Sequence, residues 1–464
     1  MGWVGEQDEI GWQPVPGVGG QLKCRGQVIA TTRKVVYEIS LKEIGFRPEP
    51  YVICDAVMSA DGKPIVRMID MSLRLTGMTW EKLEDIWKNS CQTLSKCLTA
   101  YTPKPAIFDS ASIMAFSNGK PSEAFGERYR IFDAGRVIAR LPGPPYQFLD
   151  RITAVSGEQW VMAAGKTAEA QYDTPPQEWY FDANRCDDMP FSVLLEIVLQ
   201  PCGWLAAYVG SALTSDVDLS FRNLGGTATQ FLPVTRHVGT LTTNVKLTSV
   251  SASGGMIIQH YSYRLTNAAG EILYDGTTYF GFFTKQALAN QVGLREVTPY
   301  QPTADELARG ERFDFPRTAP FPGDQLRMMD AVDLYVPDGG SRGLGFIRGV
   351  KTVNPDEWFF KAHFYQDPVW PGSLGLEAFL QLLKVAAVKR WGWRDGDRFE
   401  TMVLNRPHDW TYRGQVIPTD RHVTVQAEIT ALDDAQRFLE AEGFLIVDGR
   451  IIYEMKRFTL NMRS

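Results

Sequence analysis

The sequence has few of the residues from which metal sites and disulfide frameworks are built. Its 464 residues include five histidines and six cysteines, with no CxxC pair and no HxxxH pair. All six cysteines lie in the first half, which favours free thiols in a reducing compartment over disulfides or a zinc site. We therefore expect no multi-histidine metal centre, and any acid–base chemistry must draw on a small set of histidines.

Excess positive charge and long apolar runs are also missing. Lysine and arginine number 48 against 54 aspartates and glutamates, so no basic field attracts nucleic acid. No run approaches 18 uninterrupted apolar residues, so we expect no membrane span. Residues 1–20 lack the basic start and apolar stretch of a signal peptide. Together these absences predict a cytoplasmic protein that neither binds nucleic acid nor spans a membrane.

An internal repeat organises what is present. The run RGQVI at 25–29 recurs at 413–417, and a β-rich segment follows each copy. Three further motifs recur about 180 residues apart, pairing 146–152 with 326–332, 178–181 with 357–360, and 190–200 with 371–381. One unit is therefore duplicated over about 130–285 and 312–462, and 20–78 is a third copy that lacks its front half.

Each full copy predicts one buried helix wrapped by a sheet. Apolar residues cover nearly every face of 190–206 and 372–388, which is typical of a helix buried on all sides. Alternating strands with glycine at their hairpin turns follow each helix. A helix against a curved antiparallel sheet is an α+β arrangement.

The repeat also predicts the domain organisation. Residues 79–89 have the pattern of a short amphipathic helix, and Ser, Pro and Gly punctuate 90–130, which we interpret as a linker. The predicted domains are a partial unit with its linker helix at 1–100, a first full unit at 101–295 and a second at 296–464.

Each predicted helix carries one carboxylate followed four residues later by an amide. These pairs are Glu196 with Gln200 and Glu377 with Gln381. Residues i and i+4 share a helix face, so the amide can hold the carboxylate. Burial raises the pKa of a carboxyl group, which makes either glutamate a candidate general acid. A structural carboxylate bonded to the backbone is the alternative that the pattern leaves open.

His363 lies in the loop before the second helix, where Pro368 and Pro371 restrict the backbone. Gly372 then offers an unobstructed N–H at the helix N-terminus, a position suited to a developing oxyanion. A base, an oxyanion donor and a carboxylic acid suit proton abstraction next to a carbonyl with loss of a hydroxyl. A structural histidine remains the alternative. The histidines that we expect not to be catalytic are the strand-end His237 and His422, His408 in a turn and His260 in a strand.

These motifs resemble the signature of the β-hydroxyacyl-ACP dehydratases, which include the bacterial β-hydroxydecanoyl-ACP dehydratase/isomerase. The residues that carry the resemblance are His363-Phe364, Asp367-Pro368-Val369, Pro371-Gly372-Ser373-Leu374-Gly375, and Glu377 followed by Gln381. Supporting stretches are 70–75, 194–204 and 221–224. The tandem arrangement resembles the dehydratase region of bacterial polyunsaturated fatty acid synthases, which are polyketide synthase-like. The match covers about 105–464 as two units and 20–80 as the tail of a third.

The resemblance implies a tandem (double) hot-dog fold preceded by a partial hot-dog segment. It implies a 3-hydroxyacyl-ACP dehydratase that needs no metal or cofactor. In such enzymes the histidine and the oxyanion N–H come from one hot-dog and the acid from its partner. His363 would be the base at the α-carbon, Gly372 the oxyanion donor, and Glu196, supported by Gln200, would polarise or protonate the departing β-hydroxyl.

The resemblance also implies that only one of two pseudo-symmetric sites works. The first copy has Asn184 at the position of His363, and asparagine cannot abstract a proton at neutral pH. The second site, Asn184 facing Glu377, should therefore be inactive. Glu196 replaces the aspartate of the dehydratase/isomerase, and Ser373 follows Gly372 where the isomerase relatives carry cysteine. Isomerisation from trans-2 to cis-3 is therefore left open.

The partners implied are an acyl carrier protein carrying a β-hydroxyacyl chain and neighbouring synthase domains, with a homodimer left open. The alternatives are a hot-dog acyl thioesterase and a non-catalytic scaffold that binds acyl chains or carrier protein. A half hot-dog at 20–80 would expose its apolar concave face, so we expect it to pack on the double hot-dog or on another chain. The basic residues after the active helix, which suit either an acidic partner or a solvated helix end, are Lys384, Lys389, Arg390 and Arg394.

Overall fold

The computed structural model describes residues 10–85 and 101–463, which form two compact units. The first unit contains the described residues of Met1–Leu98 together with Phe108–Arg136. The second contains those of Thr99–Ile107 and Val137–Ser464. Both predicted full repeats thus fall largely in the second unit, and their separation into domains at 101–295 and 296–464 stays a prediction.

The first unit contains a five-stranded antiparallel sheet with the order β1-β5-β4-β3 and with β2 paired to β5. Its strands are β1 Gly11–Gln13, β2 Gln21–Cys24, β3 Val35–Gly45, β4 Tyr51–Ala60 and β5 Lys63–Thr76. The predicted hairpin turn is present at Asp61 and Gly62, which both have positive φ and join β4 to β5. Residues 80–85 are helical, as expected, and the rest of 79–89 lies outside the described residues.

Three helices follow in this unit, α1 Ser110–Ser117, α2 Pro121–Phe125 and α3 Ile131–Ala134. The linker prediction for 90–130 was therefore wrong where α1 and α2 lie, and 86–100 lies outside the described residues. Asp109 caps α1 by accepting the N–H of Ser112, and the helix packs against β3. Ser110, Ser112 and Ser117 lie within α1, whereas Pro121 begins α2 and Gly126 follows its end.

The second unit is built on one 14-stranded antiparallel sheet. Its strands are β6 Arg151–Ser156, β7 Thr167–Asp173, β8 Ser220–Gln230, β9 Thr240–Ser253, β10 Met256–Thr266, β11 Ile272–Phe283, β12 Glu311–Asp314, β13 Ala331–Val336, β14 Phe346–Thr352, β15 Arg398–Thr401, β16 Pro407–Tyr412, β17 His422–Asp433, β18 Phe438–Val447 and β19 Arg450–Arg463. One half runs β6-β7-β9-β10-β11-β8 and the other β13-β14-β17-β18-β19-β16, with β12 beside β13 and β15 beside β19. The two halves have matching strand orders, which is the structural form of the sequence repeat.

The helices of this unit are α4 Trp179–Asn184, α5 Phe191–Tyr208, α6 Lys285–Ala289, α7 Ala304–Arg309, α8 Trp358–Ala362 and α9 Gly372–Trp391. The two long ones, α5 and α9, each lie in the hollow of one half. Helix α5 packs against β7, β9 and β10, and α9 packs against β14, β17, β18 and β19. The predicted double hot-dog fold is confirmed.

Helix α5 contains a proline, and a residue of the sheet supplies the hydrogen bond that the proline cannot make. Pro201 lies inside the helix and has no N–H to donate to the carbonyl of Ile197. Thr243 on β9 donates its hydroxyl to that carbonyl, at 3.2 Å, so the buried acceptor stays paired. By length and composition α5 could cross a membrane, but 94% of it is buried inside the protein.

The two halves meet where β16 pairs with β8, with Trp410 opposite Gly226. His408 lies on β16 and is buried, with its Nε2 2.8 Å from the hydroxyl of Tyr274 on β11. The expectation that His408 lies in a turn was therefore wrong. The sequence around His408 did not predict a strand, because Pro407 and Asp409 are typical of turns.

One face of β3 in the first unit is exposed, although the aligned face of β17 in the second unit is buried. The alternating apolar residues of that face are Val35, Tyr37, Ile39 and Leu41, and 68% of Tyr37 is accessible. The aligned residues of β17, including Val423 and Val425, are buried in the half that contains α9. Among the described residues of the first unit, no helix as long as α9 covers this face. Packing of this face on another surface stays a prediction.

Gly226→Ala should destabilise the junction between the two halves. A Cβ on Gly226 would lie 2.4 Å from the Trp410 ring and 2.6 Å from the carbonyl oxygen of Thr277. Overpacking of this kind costs roughly 1–3 kcal/mol. Urea unfolding should show that loss, and Gly323→Ala is the matched control because its Cβ would meet no atom nearer than 3.7 Å. Equal unfolding midpoints for the two variants would contradict the close packing at the junction.

Candidate active site

The two long helices exchange hydrogen bonds with each other's buried carboxylates. Ser373, in the first turn of α9, donates its hydroxyl to Glu196 Oε1 on α5, at 2.7 Å. Ser192, in the first turn of α5, donates its backbone N–H to Glu377 Oε2 on α9, at 3.2 Å. Each carboxylate is thereby placed at the N-terminal turn of the other helix, where the helix dipole favours negative charge.

Glu196 is held on its other side by its own helix. Gln200 donates to Glu196 Oε2 at 3.1 Å and to the carbonyl of Tyr146 at 2.9 Å, and its oxygen accepts the N–H of Phe148 at 2.8 Å. Burial raises the pKa of Glu196, and the hydrogen bonds from Ser373 and Gln200 lower it in part. The group is a carboxyl that takes up a proton more readily than an exposed glutamate does.

His363 follows the last residue of α8, and its backbone N–H bonds to the carbonyl of Phe359. Its ring Nδ1 lies 3.1 Å from the carbonyl oxygen of Val369, so Nδ1 carries the proton and donates to it. This tautomer leaves the lone pair on Nε2. Burial lowers the pKa of His363 to about 3, although the bond to Val369 opposes that shift. The imidazole is therefore a neutral proton acceptor near pH 7.

An ion pair joins the histidine loop to the other half. Arg222 on β8 binds Asp367 through two bonds of 2.8 Å, from Nη1 to Oδ2 and from Nη2 to Oδ1. Burial alone would raise the pKa of Asp367, but the charge and hydrogen bonds of Arg222 lower it below its usual value. Both residues lie in stretches that carry the family resemblance. Nothing in their spacing along the sequence indicated that they pair.

One cavity of about 80 Å³ brings these groups together. Glu196 and Gln200 of the first half line it together with His363 and Gly372 of the second. Much of the remaining lining is apolar, including Leu141, Pro142, Leu199, Phe221, Phe280 and Phe364. The four site residues predicted from the sequence thus surround the same space, although they come from positions up to 176 residues apart.

Gly372 is the first residue of α9, so its N–H has no partner within the helix. A Cβ at this position would lie 2.9 Å from the ring of Tyr412, which explains why only glycine fits. Tyr412 itself lines the cavity, and its buried hydroxyl has no hydrogen-bond partner in the described part of the chain. The sequence reasoning missed Tyr412. Its place directly before the repeated RGQVI run was the available signal.

The corresponding groups of the other half are arranged differently. Asn184 Nδ2 donates to the carbonyl of Asp188 at 3.0 Å, as His363 donates to Val369, which places the two side chains in equivalent positions. Asn184 Oδ1 accepts from Lys384 Nζ at 3.2 Å. Asn184 therefore contacts a lysine, and Glu377 contacts the backbone of α5.

The four basic residues considered from the sequence do not form a free patch, and only Arg394 lies beyond α9. Lys384 is buried, Lys389 pairs with Glu311, and Arg390 pairs with Asp434. Arg394 is exposed. Lys389 and Arg390 are therefore already paired with carboxylates of the same chain.

Comparisons with known proteins agree with the resemblance noted from the motifs. A family model described as a FabA-like domain matches residues 1–69 and 321–456. A polyunsaturated fatty acid synthase subunit of Thraustochytrium sp. is 29% identical over 392 residues, which cover 77% of this chain. The chain spans 26% of the length of that relative.

Solved structures with a similar arrangement have low sequence identity. The dehydratase domain from the CurJ module of curacin polyketide synthase is 14% identical, with a TM-score of 0.38, and the match covers 67% of this chain and 96% of that one. An acyl-ACP thioesterase from Bacteroides thetaiotaomicron is 8% identical, with a TM-score of 0.36, and covers 64% of this chain and 98% of its own. The assignment of the fold rests on the helices and sheet described above.

His363→Gln should make the protein less sensitive to acid. In the unfolded chain histidine takes up a proton near pH 6.5, whereas folded His363 does so only near pH 3. The unfolded state therefore binds more protons in this window, and stability falls as the pH falls from about 6.5 towards about 3. Urea unfolding at several pH values should show a shallower decline for the variant. Equal declines for variant and wild type would contradict a buried neutral imidazole.

Proposed function

We propose that the second unit dehydrates β-hydroxyacyl thioesters on acyl carrier protein to enoyl thioesters, in the biosynthesis of polyunsaturated fatty acids. The observation that carries the proposal is the single cavity lined by His363 and Gly372 of one half and by Glu196 and Gln200 of the other. The similarity to a polyunsaturated fatty acid synthase subunit and to FabA-like domains supports the same reaction.

The chemistry follows from the protonation states. Nε2 of His363 removes the proton from the α-carbon of the bound thioester, and negative charge develops on the thioester oxygen. The N–H of Gly372, at the positive end of α9, stabilises that charge. Glu196 in its protonated form donates to the β-hydroxyl, the C–O bond breaks, and water leaves. The product carries a new α,β double bond. His363 then holds the proton from the α-carbon and Glu196 is deprotonated, so both groups must return to their starting protonation states before the next turnover.

The hydrogen-bonded surroundings of Glu196 suit this role. Ser373 and Gln200 stabilise the carboxylate that remains after proton donation, since both donate to its oxygens. The hydroxyl of Tyr146 lies 2.9 Å from Ser373 Oγ and extends this network. Ser373 is thus occupied in holding Glu196. Isomerisation of the new double bond would require a further proton transfer, and our proposal extends to dehydration alone.

The proposed function also implies partners and a location for the protein. The substrate is presented by an acyl carrier protein and the product passes to neighbouring synthase domains, as expected for a segment similar to part of a synthase subunit. A cytoplasmic location and a homodimer belong to this proposal as expectations.

His363→Ala should abolish dehydration while the fold survives. Loss of a general base costs about 10²–10⁴ in rate. The assay is the appearance of the enoyl product by mass spectrometry, from β-hydroxyacyl thioesters of several chain lengths. Circular dichroism confirms folding. Turnover close to that of the wild type would refute the assignment. Release of free thiol without enoyl product would indicate a thioesterase, and bound thioester with no turnover by the wild type would indicate a scaffold.

Glu196→Gln should cost far more activity than Glu377→Gln. Both replacements keep the size of the side chain and an oxygen that accepts a hydrogen bond. Only Glu196 lines the cavity with His363, so only its loss removes the acid, with an expected decrease in kcat of about 10²-fold or more. The same product assay compares the two variants. A larger loss for Glu377→Gln would refute a site shared across the halves.

A further inference from the structure

The two long helices differ at one position on the face that carries their carboxylates. Position 203 lies seven residues after Glu196, and position 384 lies seven residues after Glu377. Residues i and i+7 share one side of a helix, so both positions face the same way as the carboxylate before them. Helix α5 has Gly203 at this position, whereas α9 has Lys384.

Gly203 forms part of the wall of the cavity that contains His363. A Cβ there would lie 3.4 Å from Leu141 and 3.5 Å from Phe221, which are ordinary contact distances to two other lining residues. A methyl group would therefore fit, but any longer side chain would extend among the walls of the cavity. The absence of a side chain at 203 keeps this space open.

Lys384 extends from α9 towards the second pseudo-symmetric site, that of Asn184 and Glu377. Its side chain is 3% exposed, and its Nζ reaches Asn184, which takes the place of His363. The ammonium also lies 5.8 Å from the centre of the Phe399 ring, where a cation is attracted by the π-system. The lysine stem thus extends from α9 to the residue that replaces the base, whereas Gly203 extends no side chain towards His363.

We propose that Lys384 closes the second pseudo-symmetric site, that of Asn184 and Glu377, to acyl thioesters and that Gly203 keeps the site of His363 and Glu196 open, so that each chain binds one acyl group. The class of ligand rests on the proposed function. The asymmetry itself rests on the contacts of Lys384 and on the place of Gly203 in the cavity wall. Loss of the histidine makes the second site unable to react, and the lysine prevents it from holding substrate unproductively.

The test is the number of acyl groups bound per chain. Decanoyl-pantetheine amide, which cannot be cleaved as a thioester can, is titrated into the protein by calorimetry. The wild type should bind one molecule and Lys384→Gly two, with unchanged dehydration in the variant. Gly203→Lys should lose binding at the first site. Lys384→Met is the matched control, since it keeps most of the stem without the ammonium and should still bind one molecule.

Several results would overturn the proposal. These are one bound molecule in folded Lys384→Gly, undiminished binding in folded Gly203→Lys, or two bound molecules in Lys384→Met. Lys384→Gly and Gly203→Lys change different helices, so either variant tests the proposal if the other does not fold. A wild type that dehydrates β-hydroxyacyl thioesters while Lys384→Gly stays at one site refutes this inference alone. A wild type that neither turns over substrate nor binds the amide refutes the proposed function as well.

Discussion

The crossing of the two long helices is the contact on which the cavity depends. Each helix buries a glutamate, and a lone buried carboxylate would be costly in a core as apolar as this one. The first turn of the partner helix relieves that cost, through the Ser373 hydroxyl for Glu196 and the Ser192 N–H for Glu377. The helices must therefore meet near their N-termini, which brings Gly372 and the loop that carries His363 to the side of Glu196.

The rest of the second unit supports that crossing. Pairing of β8 with β16 makes one continuous sheet from two hollows, so neither half can shift without breaking the ladder. The ion pair between Arg222 and Asp367 joins β8 to the loop after His363. A charge pair with two parallel bonds fixes orientation as well as distance. The base is thus held by groups from both halves, as is the acid.

The repeat places Asn184 and His363 in equivalent positions, and the two halves differ there. Asn184 makes a backbone hydrogen bond like that of the histidine but is not a base, and Lys384 donates to it. Glu377 and Gln381 have structural partners of their own, since Glu377 accepts the N–H of Ser192 on α5 and Gln381 accepts the N–H of Met328. Retention of a carboxylate is therefore weak evidence of activity in either half, whereas the choice between histidine and asparagine is informative.

The sequence by itself determined the repeat and the two buried helices, and its family resemblance indicated four of the residues that line the cavity. Apolar periodicity, repeated motifs and the spacing of Glu196 from Gln200 are local properties that a fold must satisfy wherever its parts are placed. The short helices at Ser110–Ser117 and Pro121–Phe125, the buried His408 on β16, the pairing of Arg222 with Asp367 and the place of Tyr412 were decided only by the tertiary structure. Each of these depends on contacts between distant segments. Such contacts are stabilised by burial and by partners from distant parts of the chain, which no local pattern specifies.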